Sequence, residues 1–365
     1  MQGNCLGEIL CKVFDARATN PIGTAWKSTR LQPLTTSMQQ PRVIIISPAL
    51  ANANNGNWQT AWRWSRMLRP VFHAEIAQTW NGAPFDVMLA LHARRSADSI
   101  AAWASEKAKG LGVVLTGTDL YRDIQTDATA QMSLNLAQRL VVLQECGPEA
   151  LPPSVKHKAR VIFQSVSARQ PVINPGKHLR AVMVGHLRDE KSPQTLFEAA
   201  RLLKKHPDIL IDHIGEPLDA ALGEQARATA ADCPNYRWLG GMAHEATRRH
   251  IQRAHLLVHA SKMEGGAHVV MEAVCSGTPV LASKIAGNIG MLGSDYDGYF
   301  AHGDAQGLAD LLVRCRNDQL NASTSPAPAS NLYHQLQAQC KQRAPLFAPE
   351  AEQTALIRLV HDLLT

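Results

Sequence analysis

Two glutamates that flank a pair of glycines carry the clearest chemical signal in this sequence. Glu264 directly precedes Gly265 and Gly266, and Glu272 follows Glu264 by eight residues. A carboxylate only accepts hydrogen bonds, so two of them can hold the vicinal hydroxyls of a ribose or a sugar ring. The glycines permit close approach of the backbone to a phosphate, and a helix that begins after them favours negative charge at its start. The pattern predicts a phosphosugar site; the alternative is a simple turn followed by a helix on which Glu272 is solvated.

The segment Val184–Pro193, VGHLRDEKSP, offers a cation to the same site. It lies between an apolar run that predicts a strand and a segment with helical character. Lys191 stands just before the predicted helix, where its compact ammonium group can neutralise phosphate oxygens. The alternative is that Lys191 is an ordinary solvated lysine.

Three polar loops in the first half of the sequence point to a second, charged substrate. One opens a predicted helix with Asn55, Gly56 and Asn57, an arrangement suited to anions; simple capping by Asn57 is the alternative. The other two, Leu91–Ser96 and Thr116–Arg122, follow predicted strands. A small, highly charged acceptor fits these loops, because a lipid or a polysaccharide would call for an apolar patch or an aromatic-lined groove.

Strand-like and helix-like segments alternate along the chain from residue 41. This alternation is typical of α/β proteins with parallel sheets. A connection that contains Pro and Gly interrupts it near residue 172, which predicts two doubly wound, Rossmann-like domains that face a cleft. The predicted strands are Val43–Ile46, Phe85–Leu91, Gly112–Leu115, Leu140–Leu143, Val161–Phe163, Ala181–Val184, Ile209–Ile214, Leu256–His259 and Pro279–Ser283.

The alternation also suggests how the chain is divided. The predicted segments are an N-terminal extension outside the fold (1–40), a first Rossmann-like domain (41–172), a second Rossmann-like domain (173–345) and a C-terminal helix (346–365), whose return to the first domain is left open. On the first predicted helix, Trp58 and Trp62 are four residues apart and are expected to face the core.

The composition describes an ordinary globular protein. Among 365 residues, 37 Lys and Arg stand against 31 Asp and Glu, so the net charge is +6. Without a basic block interleaved with aromatics, this charge is too mild to predict nucleic-acid binding. No apolar run approaches the roughly 18 residues of a membrane span. Seven cysteines without a CxxC pair argue against a disulfide framework and a zinc site, and they favour the reducing cytoplasm.

The two polar segments of the second half together resemble the nucleotide-sugar site of family-4-like glycosyltransferases, which have the GT-B fold. The resemblance covers about residues 41–345 and rests on the pattern Gly-x-Leu-x3-Lys followed by Glu-Gly-x6-Glu-Ala-x3-Gly-x-Pro-Val. It implies that Glu272 holds the ribose and Glu264 the transferred sugar, while Lys191 neutralises the departing diphosphate.

The chain departs from this family at the position of a phosphate-binding arginine. Most relatives carry arginine where this sequence has His186, so either His186 or Arg188 is expected to do that work. The implied nucleotide-sugar residues are Lys191, Arg188, Glu264, Gly265, Gly266, Ala267, His268 and Glu272, with Lys191, Glu264 and His186 as the catalytic set.

The loop sequences NNGNWQTAWRW, LHARRSADS, LTGTDLYRD and SKMEGGAHVVMEAV resemble one subgroup, the selenosugar synthases of selenoneine-type biosynthesis. The resemblance implies transfer of a hexosyl group, GlcNAc or glucose, from a UDP-sugar to selenophosphate. A C–Se bond forms, UDP is released, and loss of phosphate then gives a 1-selenosugar. The resemblance implies neither a metal nor a cofactor.

The expected acceptor-binding residues are Asn55, Gly56, Asn57, Thr60, Arg94, Thr118 and Asp119. An aspartate cannot contact an anion favourably, so Asp119 is expected to contact a sugar hydroxyl or to orient Arg122. Two alternatives stay open for the whole protein: a UDP-sugar transferase with an oxygen or sulfur acceptor, and a nucleotide-sugar sensor without turnover.

Overall fold

Each of the nine predicted strands overlaps an observed strand in one of two parallel sheets, although the predicted Val161–Phe163 shares only Val161 with the observed Ala159–Val161. The computed structural model describes residues 40–49, 56–172, 176–322 and 331–365. The expectation of an N-terminal extension over 1–40 lies almost wholly outside the described residues. The predicted domain boundary at residue 172 stays a prediction.

The first sheet has six parallel strands in the order β2-β1-β3-β4-β5-β6. Its strands are β1 (Arg42–Ile46), β2 (His73–Ala77), β3 (Val87–Leu91), β4 (Leu111–Leu115), β5 (Arg139–Val142) and β6 (Ala159–Val161). All residues of β3 and β4 are buried, as expected for strands covered by helices on both faces. The chain changes direction across the sheet between β1 and β3, where doubly wound proteins bind ligands.

The second sheet also has six parallel strands, in the order β12-β11-β10-β7-β8-β9. They are β7 (Leu179–Val184), β8 (Ile209–Ile214), β9 (Tyr236–Trp238), β10 (Leu256–His259), β11 (Val280–Ser283) and β12 (Tyr299–Phe300). The chain builds outward from β7 to one side and then from β10 to the other. The switch point therefore lies between β7 and β10.

Helices cover both faces of each sheet. The helices are α1 (Gly56–Leu68), α2 (Ala97–Glu106), α3 (Ile124–Thr126), α4 (Ala128–Leu136), α5 (Pro193–Leu202), α6 (Ala220–Asp232), α7 (His244–Arg253), α8 (His268–Val274), α9 (Ala286–Leu292), α10 (Ala305–Ala322), α11 (Leu332–Arg343) and α12 (Pro349–Leu364). The last helix, α12, buries Leu356, Leu359, Val360 and Leu363 in the core of the first sheet. No described helix is both long and apolar enough to cross a lipid bilayer.

The three strands that the sequence pattern does not predict, β2, β9 and β12, all lie at sheet edges. β2 reads HAEIA, with polar residues between its apolar ones, and β12 has two residues. Edge strands are half exposed, so they lack the continuous apolar runs that mark the central strands.

The expectation for the tryptophans of α1 is wrong. Trp64 is fully buried, whereas Trp62 is 45% exposed and stacks on the guanidinium of Arg66 at 4.9 Å. The buried stripe of α1 runs through Thr60, Ala61, Trp64, Ser65 and Leu68. Spacing alone places Trp58 and Trp62 on one face of the helix but does not determine whether that face is the inner one.

Candidate functional site

Lys191 and Glu264 meet at the switch point of the second sheet. Lys191 lies in the loop after β7 and Glu264 in the loop after β10, and these strands are neighbours, with Ala181 opposite Leu256. Lys191 Nζ donates to Glu264 Oε1 at 2.5 Å. The side chains are 16% and 13% exposed, so the pair is largely shielded from water. The sequence-predicted cation and carboxylate are therefore in direct contact.

The carboxylate of Glu264 is held in its ionised form. Burial raises the pKa of Glu264, but the charge of Lys191 and a hydrogen bond from His259 more than offset this, so the pKa lies well below its ordinary value. His259 Nε2 lies 3.3 Å from Glu264 Oε1, and the His259 ring is buried at the end of β10. Glu264 can therefore serve as a fixed acceptor at neutral pH. His259 is not predicted from the sequence; its place at the end of a strand beside the motif is the signal for it.

Glu272 lies on α8 and points its carboxylate toward α7. It is 3% exposed, with His244 Nε2 at 2.6 Å from Oε1 and Arg248 Nε at 3.8 Å. The two α7 residues are four apart, which puts them on one face of the helix. The sequence analysis does not predict His244 or Arg248 as a site residue. Their i, i+4 spacing on α7 is the signal from which they could have been predicted.

The contact between His244 and Glu272 predicts a measurable shift in titration. The hydrogen bond that His244 donates to the carboxylate of Glu272 raises the pKa of His244 above its ordinary value. We expect Glu272→Gln to return that pKa toward about 6.5, as followed by NMR titration of the His244 ring. An unchanged pKa of His244 in the variant would contradict the contact.

The raised pKa of His244 determines how the contribution of its pair with Glu272 to the free energy of unfolding changes with pH. The stability from this pair is fully present below the unfolded-state pKa of about 6.5 and is lost as the pH rises through the folded-state value. Its size is below about 1 kcal/mol, because the His244 side chain is 76% exposed and solvent screens the pair.

A cleft of about 760 Å³ lies between the two sheets, and most of these groups line it. That volume falls in the roughly 300–1,000 Å³ range of small-molecule sites. Lys191, His244, Arg248, His268 and Glu272 line it from the second half, so its wall is rich in basic groups. This wall suits a ligand that carries negative charge.

His186 lines the cleft, whereas Arg188 is not among the residues that do. The backbone N–H of Glu216 donates to His186 Nδ1 at 3.1 Å, which leaves Nε2–H of the neutral ring as the remaining donor. Burial and the charges of Arg188 and Lys191 lower the pKa of His186. Arg188 is 48% exposed, and its Nε lies 3.9 Å from Glu190. Of the two proposed replacements for the arginine, His186 is the better placed.

The paired glycines allow the two halves of the protein to approach closely. A Cβ atom on Gly265 would lie 2.5 Å from the carbonyl oxygen of Thr116, and one on Gly266 would lie 2.9 Å from Leu143 Cβ. The sequence interpretation explains the two glycines by the close approach of a phosphate. The structure explains them instead by the close approach of Thr116 and Leu143 from the first half of the protein. The backbone N–H of the adjacent Ala267 donates to Met291 Sδ at 3.1 Å. Diphosphate contacts from this turn stay a prediction.

Two of the predicted acceptor residues are buried supports rather than cleft residues. Thr60 is 2% exposed; it donates to Gly56 O at 2.8 Å and accepts from Gln164 Nε2 at 2.5 Å. Asp119 is fully buried. The predicted orientation of Arg122 by Asp119 is wrong, because Arg122 pairs with Asp123 at 3.1 Å.

Asp119 instead holds three backbone N–H groups at the ends of β3 and β4. Its carboxylate accepts from Ala93 N at 3.0 Å, Thr116 N at 2.8 Å and Gly117 N at 3.0 Å. A short, fully ligated carboxylate of this kind shapes loops and is closed to substrate. Any effect of Asp119 on the acceptor side is therefore expected to come through the loops that it holds.

Of the other predicted acceptor-binding residues that the structure describes, Gly56 lines the cleft, whereas Arg94 and Thr118 do not. Gly56 lines the cleft, and Asn57 follows it in the first turn of α1, so Asn57 is not the residue before the helix. Arg94 pairs with Asp123 at 3.1 Å, and Thr118 lies 3.4 Å from His92 Nε2; neither lines this cleft. Asn55 lies outside the described residues.

Comparison with known proteins agrees with the second half of this architecture. Residues 167–331 match the family model described as glycosyl transferases group 1. The chain is 28% identical over 159 residues to the putative teichuronic acid biosynthesis glycosyltransferase TuaC of Bacillus subtilis (strain 168). That match covers 44% of this chain and spans 38% of the length of TuaC.

Solved structures share the fold at low sequence identity. Sucrose-phosphate synthase from Thermosynechococcus elongatus has a TM-score of 0.68 at 16% identity, over 89% of this chain and 99% of its own. TarM of S. aureus, in complex with fondaparinux, α-GlcNAc-glycerol and UDP, has a TM-score of 0.58 at 14% identity, over 75% of this chain and 56% of its own. The predicted fold class is confirmed: the two parallel α/β sheets form a GT-B fold, and residues 167–331 match the model of the glycosyl transferases group 1 family.

Proposed function

We propose that this protein is a glycosyltransferase that moves a hexosyl group, GlcNAc or glucose, from a UDP-sugar to selenophosphate. The observation that carries the proposal is the contact of Lys191 with Glu264 at the switch point, with Glu272 in the wall of the adjoining cleft. A cation and two ionisable acceptors in this arrangement match the charge and the hydroxyls of a nucleotide sugar. The similarity to a group 1 glycosyltransferase domain and to TarM, whose structure holds UDP, supports the donor.

The residues of the second half would have separate roles toward the UDP-sugar: some stabilise the diphosphate and others bind the hydroxyls. Lys191 and the Nε2–H of His186 stabilise the charge that grows on the departing diphosphate, which is where preorganised donors contribute most to a rate. Glu264 and Glu272 accept hydrogen bonds from sugar and ribose hydroxyls. A carboxylate has about four acceptor positions, so each glutamate can do this beside its existing protein partner.

Selenophosphate fits as the acceptor because the site then needs no general base. The selenium attacks the anomeric carbon as an already ionised nucleophile, and the C1–O bond breaks with its electron pair going to UDP. Water then cleaves the Se–P bond, which gives phosphate and the 1-selenosugar. Positioning and electrostatic stabilisation supply the catalysis. The loop sequences of the first half and the basic wall of the cleft support this acceptor.

An assay of UDP release with four acceptor classes tests the proposal. UDP-GlcNAc and UDP-glucose are each offered with selenophosphate, thiophosphate, phosphate or simple alcohols, and the product is identified by mass spectrometry. We expect turnover with selenophosphate and a product that contains a C–Se bond. Turnover with alcohols alone would overturn the selenium acceptor, and UDP-sugar binding without turnover would make the protein a sensor.

A further inference from the structure

The side chain of Glu352 is a buried carboxylate at the start of α12. It is fully shielded from solvent and accepts hydrogen bonds from Arg63 Nε at 2.9 Å, Trp64 Nε1 at 2.6 Å, and Ser165 N and Oγ at 2.8 and 2.5 Å. Its donors come from α1 and from the segment that follows β6. One carboxylate therefore joins three parts of the chain that are distant in sequence.

Packing alone does not explain a charge at this position. Removing a carboxylate from water costs several kcal/mol, and an apolar residue often replaces a buried ion pair without loss. The rest of the inner face of α12 is apolar, through Leu356, Leu359, Val360 and Leu363. The charge occurs at the end of the helix next to the cleft, where it fixes Arg63.

Glu352 orients the guanidinium of Arg63 toward the cleft. The carboxylate engages Nε and Nη2, at 2.9 and 3.0 Å, and so fixes the plane of the group. Nη1 then lies 3.5 Å from His268 Nε2, at the start of α8 in the other half of the protein. Arg63 lines the cleft from α1, with Gly56 and Gln59, while Lys191 lines it from the second half.

Arg63 also determines the form of His268. An arginine can only donate, so Nε2 of His268 faces it as an acceptor and the ring proton is on Nδ1. Burial, together with the charges of Arg63, His244 and Arg248, lowers the pKa of His268 to about 3. The ring is neutral at physiological pH, with one N–H whose position depends on Arg63.

We infer that Arg63 is the residue of the first half that binds the oxyanion of the acceptor in the cleft, and that Glu352 is its positioning residue. The inference rests on the proposed function and deepens it, since it selects an acceptor with a phosphate-like group. In the proposed function Lys191 and His186 stabilise the diphosphate from the second half, so Arg63, the cation on the opposite wall of the cleft, is left for the second anion. A guanidinium held in one plane matches the geometry of such oxyanions better than an ammonium does.

Steady-state kinetics of Arg63→Met, with thiophosphate and selenophosphate as varied acceptors, test the inference. We expect the KM for the acceptor to rise about 10- to 100-fold, while the KM for the UDP-sugar changes by less than a factor of about two. Glu352→Gln, which keeps the shape of the side chain, is expected to raise the acceptor KM in the same direction by a smaller factor. Arg66→Met is the matched control, because Arg66 lies one turn further along α1 and stacks on Trp62 instead.

Three results would overturn the inference. They are an equal rise in the KM for the UDP-sugar, a fall in kcat without a change in either KM, and an equal effect of Arg66→Met. If Glu352→Gln fails to fold, Arg63→Met and Arg63→Lys decide the question by the same measurements.

A separate experiment distinguishes this inference from the proposed function. If the wild-type protein turns over no acceptor, inorganic phosphate is titrated while the ¹⁵N signals of His268 are followed by NMR. We expect Nδ1 protonation in the free protein and a saturable phosphate-induced shift that Arg63→Met abolishes. Absence of that shift in the wild-type protein would overturn the inference; its presence would support it even though the transferase proposal had failed.

Discussion

Replacing Lys191 with alanine is expected to lower kcat about 100- to 1,000-fold, the range found for loss of one preorganised group that stabilises transition-state charge. The affinity for UDP itself should fall by much less, because the charge on the diphosphate grows as the sugar departs. In a sensor only the affinity would change. Turnover is measured by UDP release and affinity by calorimetry on the same protein sample.

Lys262→Ala is the matched control for this prediction. Lys262 is also a lysine beside the switch point, and it pairs with Asp189 at the surface. We expect its replacement to leave kcat nearly unchanged. Equal losses in the two variants would mean that general positive charge, and not contact with the leaving group, explains the effect of Lys191.

Replacing Asp119 with alanine is expected to destabilise the protein by about 3 kcal/mol. The substitution leaves three buried backbone N–H groups without their acceptor, and each unsatisfied group costs about 1–3 kcal/mol; entry of water into the vacated space keeps the total near the lower bound. Denaturant unfolding followed by circular dichroism measures the change in the free energy of unfolding.

Asp127→Ala provides the comparison for Asp119. Asp127 caps α4 by accepting from Thr129 N and Ala130 N at the surface, so its loss is expected to be the smaller one. If Asp119→Ala were as stable as Asp127→Ala but had a raised KM for the acceptor, Asp119 would be a substrate contact and its assignment as a loop support would be wrong.

The sequence predicts the central strands, and it predicts that Lys191 and Glu264 lie at one edge of the second sheet, for a physical reason. Strands buried on both faces leave continuous apolar runs, and in a parallel sheet the loops after β7 and β10 must emerge at the same edge. The contact of Lys191 with Glu264 follows from that topology. The shared edge can be inferred without knowledge of any side-chain position.

The sequence does not predict the groups that approach the site from a distance. Glu352 and Arg63 are 289 residues apart, and nothing local marks either as half of a pair. His244 meets Glu272 across 28 residues through the packing of α7 on α8. Such contacts depend on how helices dock, which periodicity does not specify.

The glycine pair shows a different limit of sequence interpretation. The sequence makes Gly265 a candidate for close approach to a ligand, and the structure does require its lack of a side chain. The requirement shown comes from Thr116 and Gly117 of the other half of the protein. A glycine indicates that something approaches the backbone, and the sequence alone does not identify what it is.

Calorimetric titration of the wild-type protein with UDP tests the central claim most directly. The site described here predicts saturable binding of one UDP per chain, weakened about tenfold or more in Glu272→Gln, because a hydrogen bond to a charged acceptor is lost. The absence of saturable heat with the wild-type protein would contradict the claim that this cleft binds a nucleotide sugar.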